Sequence, residues 1–243
     1  MKSFKEKGGH GQIKFRQVDV FTNERLAGNP LAVFYDADGL SATLMQKIAR
    51  EMNLSETTFV QTPSSPKADY RNRIFTKIRE IPFAGHPSVG TAYALVEEGK
   101  ISLKEAVTTV HQEVGVGVLP IDICSKDGEV ERIIMTQATP EFGKVISDTD
   151  IDMLGRAKGI NPEEIRETNL SPQIVSTGLN FIIIPVKSLE AVSNPQGPDL
   201  NALHQIQEKY REGLSRAPST YVFTLETVSK DALVHARLYT TPI

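Results

Sequence analysis

Thr57-Thr-Phe-Val-Gln61 and Tyr70-Arg-Asn-Arg-Ile-Phe-Thr76 decide the fold, because the chain carries a version of them twice. Both runs are rich in β-branched and aromatic residues and are separated by Pro63-Ser-Ser-Pro66, so they predict a hairpin-like pair of strands. Shifted by 164 residues, Phe59 falls on Phe223, Arg73 on Arg237, Ile74 on Leu238, Phe75 on Tyr239 and Thr76 on Thr240. Upstream, with a different shift, Gly28-Asn-Pro-Leu-Ala-Val33 resembles Gly178-Leu-Asn-Phe-Ile-Ile183. Between these anchors each copy holds one amphipathic helix. The first is capped by Ser41, has Leu44, Met45, Ile48, Ala49 and Met52 at helical spacing, and reaches Asn53. The second is capped by Asp199, continues through Leu200, Leu203, Ile206 and Tyr210, and ends at Gly213. A repeated order of strand, helix, strand, strand predicts an internal duplication.

Outward from the first copy, Ile13–Phe21 alternates as a strand, and Leu31–Tyr35 is a second strand entered through Gly28-Asn29-Pro30. A second helix starts at Pro87, carries Val89, Ala92, Tyr93 and Val96 as its apolar stripe, and stops at Gly99. The middle third, Ile101 to Ser171, is mostly strand signal (Val107–Val118, Ile121–Ile123, Val130–Thr136), with short helical pieces at Met153-Leu154 and Pro162–Ile165. The expected division is a loose leader over residues 1–11, an N-terminal lobe over 12–120 and a C-terminal lobe over 121–243.

Composition narrows the function classes. Over 243 residues, 40% are hydrophobic and 23% charged, which describes a folded, soluble chain with a sizeable core. A net charge of −3 argues against nucleic acid as a partner, and no apolar run has the length of a membrane span. The single Cys124 excludes a disulfide framework, a cysteine-based zinc site and a two-thiol redox motif, and it reads as a plain packed thiol. His10, His111, His204 and His235 have no metal-ligand spacing to one another or to His86, so no metal is expected. The charged, Gly-rich N-terminus is no secretory signal, which makes the cytoplasm the expected location.

Two stretches carry chemistry. Glu56 lies between a helix end and a strand, flanked by apolar residues. Burial there would raise its pKa and suit it to proton transfer, against the plainer reading of a solvated boundary charge. Pro82-Phe-Ala-Gly-His-Pro-Ser88 leads into the second helix. Gly85 permits close backbone approach, and the free amides of Ser88 and Val89 at the helix start favour an anion such as a carboxylate. His86 beside them can donate a hydrogen bond, and the plainer reading is a tight turn with a histidine cap. Gly115-Val-Gly117 lacks a third glycine and is no dinucleotide fingerprint. Arg71, Arg73, Lys77 and Arg79 share one face of an extended segment, most simply a solvated strand face.

Together these motifs resemble a known family. Phe15-Arg-Gln-Val-Asp-Val-Phe-Thr22, Ala27-Gly-Asn-Pro-Leu-Ala-Val33, Asn53-Leu-Ser-Glu-Thr-Thr-Phe59, Arg73-Ile-Phe-Thr76 and Pro82-Phe-Ala-Gly-His-Pro87 follow the order and spacing of the phenazine-biosynthesis PhzF-like family. The resemblance implies an α+β, diaminopimelate-epimerase-like fold: two similar lobes, each a rolled sheet around a central helix, with the active site between them. It implies a cofactor-independent isomerase moving a proton on a small carboxylate-bearing substrate, dihydro-hydroxyanthranilate in the named reaction. Glu56 would be the acid/base, with Gly85, His86, Ser88 and Asn29 binding substrate and a homodimer as the assembly. Ala84 occupies the position of the first cysteine of the racemase branches, so two-thiol racemisation is not expected. The family pattern continues, past a strand like Ala236–Pro242, into an acidic residue and a Thr-Gly-Ser-Ala-type loop. The sequence as given ends at Ile243, so that part of an interlobe site is expected to lie outside it. A non-catalytic small-molecule binding protein of the same fold is the alternative.

Overall fold

The computed structural model describes residues 12–104, 106–137, 139–214 and 217–239. The expected leader, and the Thr240 and Pro242 positions of the last expected strand, lie outside the described residues. The chain divides after Thr136 into two compact units.

In the first unit, strands β1 (Phe15–Val20), β2 (Asn29–Phe34), β3 (Glu56–Gln61), β4 (Tyr70–Phe75), β5 (Glu80–Ile81), β6 (Val107–Val114), β7 (Gly117–Lys126) and β8 (Glu129–Met135) form one sheet. Its order is β1-β2-β3-β4-β6-β7-β8, with β5 also pairing with β4. Helix α1 (Ala42–Met52) lies against β3 and β4, and helix α2 (Gly85–Glu97) touches β1, β2, β3, β4, β7 and β8. Because both edge strands, β1 and β8, reach the same helix, the sheet is rolled around α2. Strand alternation sorts the two faces. Leu31, Val33 and Tyr35 join Val18, Val20, Tyr70 and Ile121 around α2, while Ala32 and Phe34 pack with Met45, Ala49, Phe59 and Phe75 under α1.

Helix α1 has the boundaries its sequence signals. The Ser41 side chain accepts from Leu44 N, and Asn53 closes the helix in the left-handed region (φ 56). For α2 the expected stripe holds at Ala92, which is buried, and at Val89 and Val96, which pack against the core, but fails at Tyr93. Its buried residues are His86, Pro87, Ser88, Gly90, Thr91, Ala92, Ala94 and Leu95, while Tyr93 is exposed. A helix enclosed by a rolled sheet needs small residues where strands press close. A Cβ on Gly90 would stand 2.6 Å from Val20 Cγ2 and 2.7 Å from Leu31 Cδ2.

The second unit has strands β9 (Glu141–Val145), β10 (Gln173–Ser176), β11 (Asn180–Pro185), β12 (Ser219–Thr224) and β13 (His235–Tyr239), in the order β13-β12-β11-β10-β9. Helices α3 (Ile151–Lys158), α4 (Pro162–Arg166), α5 (Leu189–Ser193) and α6 (Leu200–Lys209) complete it. Ile174, Ile182, Ile184 and Val222 form its core with Ile151, Leu154, Ile165, Ile206 and Tyr210. The pairing of β1 to β4 recurs in β10 to β13: antiparallel, parallel, antiparallel. Helix α6 is capped by Asp199 as expected but ends at Lys209, short of Gly213.

The boundary near residue 120 is corrected. Strands β7 and β8 extend the first sheet, so the division falls after Thr136. The expected single strand Val107–Val118 is two, because Gly115-Val116 is the turn of the β6–β7 hairpin. Pro120 is tolerated inside β7 because pairing to β8 begins only at Ile121, leaving its missing N–H on an open side.

Candidate active site

Three local devices converge on one group of side chains in the first unit. The left-handed Asn53 ends α1 and returns the chain to the sheet, so that Glu56 is the first residue of β3. The parallel register pairs Leu31 with Glu56, which brings the entry of β2, with Asn29, alongside. Helix α2 begins at Gly85 and swings His86 inward from its first turn. His86 Nδ1 then lies 3.0 Å from Glu56 Oε2, and Nε2 lies 3.1 Å from the backbone oxygen of Asn29. His86 is 9% exposed and the Glu56 side chain 21%, so the pair is shielded yet reachable from one side. The Ser55 hydroxyl lies 3.4 Å from Asn29 Oδ1.

The carbonyl fixes the tautomer. A backbone oxygen only accepts, so Nε2 of His86 carries hydrogen and donates to Asn29 O. Nδ1 and Oε2 therefore share one further proton. Either an imidazolium donates to a carboxylate, or a neutral ring accepts from a protonated acid. Without that proton two lone pairs would face each other at 3.0 Å. For Glu56, burial raises the pKa, as the sequence predicted. The hydrogen bonds from His86 and Ser55 and the charge on His86 outweigh it, and the carboxyl sits below its usual 4.5. The expected upward shift is thus corrected: burial has the predicted sign and loses to the partner.

The helix start is also corrected. Since α2 begins at Gly85, its uncommitted first-turn amides are those of Gly85 and His86, with Pro87 supplying none, and Ala84 gives no side-chain cap. These donors and the helix dipole favour an anion beside the Glu56–His86 pair. Ser88 is fully buried and its hydroxyl donates to Ala84 O at 2.8 Å, so its one hydrogen is spent inside the helix turn. Hydrogen bonds bring Asn29, Glu56 and His86 together; Gly85 precedes His86 at the start of α2, and Ser88 follows it, buried, in the same turn.

One residue escaped the sequence reading. Phe21 follows β1 with φ 65, is 72% exposed, and has its ring centroid 6.1 Å from that of His86 at an angle of 47°. Left-handed backbone on a bulky residue has no sequence signature.

The other candidates stay apart from this group. Arg73 makes a two-pronged bond to Glu80 (2.7 Å each) and lies over the Phe75 ring, and Arg71 approaches Glu113. Cys124 is half-buried with a free thiol. Among the described residues no group of three His, Cys, Asp or Glu is arranged to hold a metal, and no helix is long and apolar enough to cross a membrane.

Comparisons with known proteins agree with this architecture. An uncharacterized isomerase from Clostridium acetobutylicum is 35% identical over 223 residues, 92% of this chain and 70% of that protein. The trans-2,3-dihydro-3-hydroxyanthranilate isomerase of Pseudomonas chlororaphis is 35% identical over 212 residues, 85% of this chain and 70% of that enzyme. Among solved structures, the Bacillus anthracis phenazine biosynthesis protein of the PhzF family superposes with a TM-score of 0.78 and 32% identity, covering 94% of this chain and 72% of that one. A proline racemase from Agrobacterium radiobacter shares the fold (TM-score 0.60, 15% identity, 93% of this chain and 69% of that one), which is the diaminopimelate-epimerase-like, mixed α+β fold. The phenazine biosynthesis-like family matches residues 18–242, and the chain belongs to that family.

Proposed function

We propose that this protein is a cofactor-independent isomerase that moves a proton between two positions of a small carboxylate-bearing substrate, with Glu56 as the acid/base. The observation that carries the reading is the Glu56–His86 pair, 3.0 Å apart, beside the uncapped start of α2. An isomerisation of this kind adds and removes nothing overall. Ionised Glu56 takes a proton from a carbon adjacent to the unsaturated system: the C–H bond breaks and a carboxyl O–H forms. The electron pair left behind forms a new double bond and displaces the old one along the chain of conjugation. The O–H then breaks, and the proton is delivered to the carbon at the far end. Negative charge that develops toward the substrate carboxylate meets the Gly85 and His86 amides. With hydrogen on both ring nitrogens, His86 donates through Nδ1 to the Glu56 carboxylate and stabilises it between turnovers, while Asn29 O accepts from Nε2 and holds the ring in place.

Names of relatives lend the reaction class: relatives of this chain are called isomerases. The repeated pairing order of the two sheets supports the internal duplication, and a homodimer follows from the family resemblance. Trans-2,3-dihydro-3-hydroxyanthranilate is the first substrate to try. General acid–base catalysis contributes about 10²–10⁴-fold, so Glu56→Gln should lose about that much turnover while keeping its circular dichroism spectrum. Full turnover in Glu56→Gln would end the assignment. Binding of the acid with no isomerisation by the parent protein would favour a carrier of the same fold.

A further inference from the structure

The loop between β1 and β2, Phe21–Gly28, is built around two unusual residues. Phe21 and Leu26 both adopt left-handed backbone (φ 65 and 66), and both hold their side chains in solvent, 72% and 94% exposed. Each feature alone is unfavourable: L residues with side chains avoid this region, and exposed apolar groups gain nothing from water. The surrounding bonds hold the loop in place. Asp19 Oδ2 accepts from Leu26 N at 2.8 Å, and the Thr22 hydroxyl both accepts from Glu24 N and donates to Glu24 O. Gly28 closes the loop so tightly that a Cβ there would lie 2.5 Å from Val20 O. Both ends of the loop meet His86, through the Phe21 ring at one end and at the other through Asn29 O, the residue after Gly28. Backbone strain that the neighbours enforce, next to a reactive pair, marks a residue kept for contact with a ligand.

We propose that Phe21 is a specificity-determining residue, its exposed ring taking the flat, unsaturated body of the substrate while the start of α2 takes the carboxylate. This rests on the isomerase reading above and deepens it. An aromatic ring rewards a planar partner over a puckered one of the same size and charge, because only the planar one stacks.

The test uses two unreactive acids, benzoate and its saturated ring counterpart, cyclohexane carboxylate, both monoanions at neutral pH, titrated into the full chain by calorimetry. The parent protein should bind the flat acid about fivefold more tightly than the puckered one, in line with stacking energies of 0.5–1.5 kcal/mol. Phe21→Gly should erase that preference, chiefly by weakening the flat acid, and Phe21→Tyr should restore it. Glycine also relieves the left-handed strain, so Phe21→Gly should melt no lower than the parent, whereas a Phe21 with a merely structural role would lose stability. No flat-over-puckered preference in the parent, no binding of either acid, or a preference intact in Phe21→Gly would each overturn the proposal. Loss of turnover in Glu56→Gln alongside any of these outcomes would leave the isomerase reading standing; retained turnover there would remove that reading independently of Phe21.

Discussion

His86 decides what Glu56 can do. Burial alone would favour the neutral acid, and the hydrogen bonds and charge that reach Glu56 from His86 and Ser55 reverse that preference. Removing the ring while keeping its bulk isolates the effect. In His86→Leu the burial contribution remains and the main opposing one is lost, so the Glu56 pKa rises. As a base Glu56 must be ionised, so the acid limb of the pH–rate profile moves to higher pH, with the carboxyl resonance followed by carbon NMR moving the same way. Type and neighbours made Glu56 and His86 candidates beside the plainer readings of a boundary charge and a histidine cap, the family resemblance singled them out, and the burial of Glu56 was legible in its apolar flanks. Their pairing was not, because the residues are 30 apart in sequence and meet only through the parallel β2–β3 register and the entry angle of α2.

At the scale of elements, α1 and α2 show which signals survive in one dimension. Helix α1 has one face against the sheet and one in water, so its period, its Ser41 cap and its Asn53 stop all read correctly. Helix α2 is surrounded by strands, so its period carries little information and its small residues do the packing. Gly90→Ala inserts a methyl group where Val20 and Leu31 leave no room. It should cost about 1–3 kcal/mol in urea or guanidinium unfolding, the range for overpacked cores. The opposite mutation on the exposed side of α1 should cost far less, which separates packing from helix propensity. The β6–β7 hairpin shows a related gap in legibility: Gly115-Val-Gly117 punctuates a run that alternates correctly on both sides, so alternation alone could not mark the turn.

For the whole molecule, the succession of strands and the repeated strand, helix, strand, strand pattern were legible because hydrophobic alternation and turn residues are local, whereas the division between units is set by which sheet β7 and β8 join. The second unit also holds a charge that no motif announced. Lys158 is 4% exposed on α3, donates to the Thr220 hydroxyl at 2.8 Å, and is lowered by burial from 10.5 to about 8. Between those values the unfolded chain binds a proton that the folded chain does not, so folding stability rises with pH across that window. Below about pH 8 both states are protonated and the burial penalty stands in full. Chemical denaturation of Lys158→Met across the same range should lack the rise that the parent shows, a difference of about 3 kcal/mol at most.

The central claim is that Glu56 carries the proton from one substrate carbon to another, and isomerisation in heavy water tests it most directly. With trans-2,3-dihydro-3-hydroxyanthranilate, mass spectrometry of the recovered product should show solvent deuterium at the receiving carbon in proportion to how freely the Glu56 proton exchanges, and product formation should fall about 10²–10⁴-fold with Glu56→Gln. Product formed by Glu56→Gln at the parent rate would contradict the account, because the proton would then be travelling by another group.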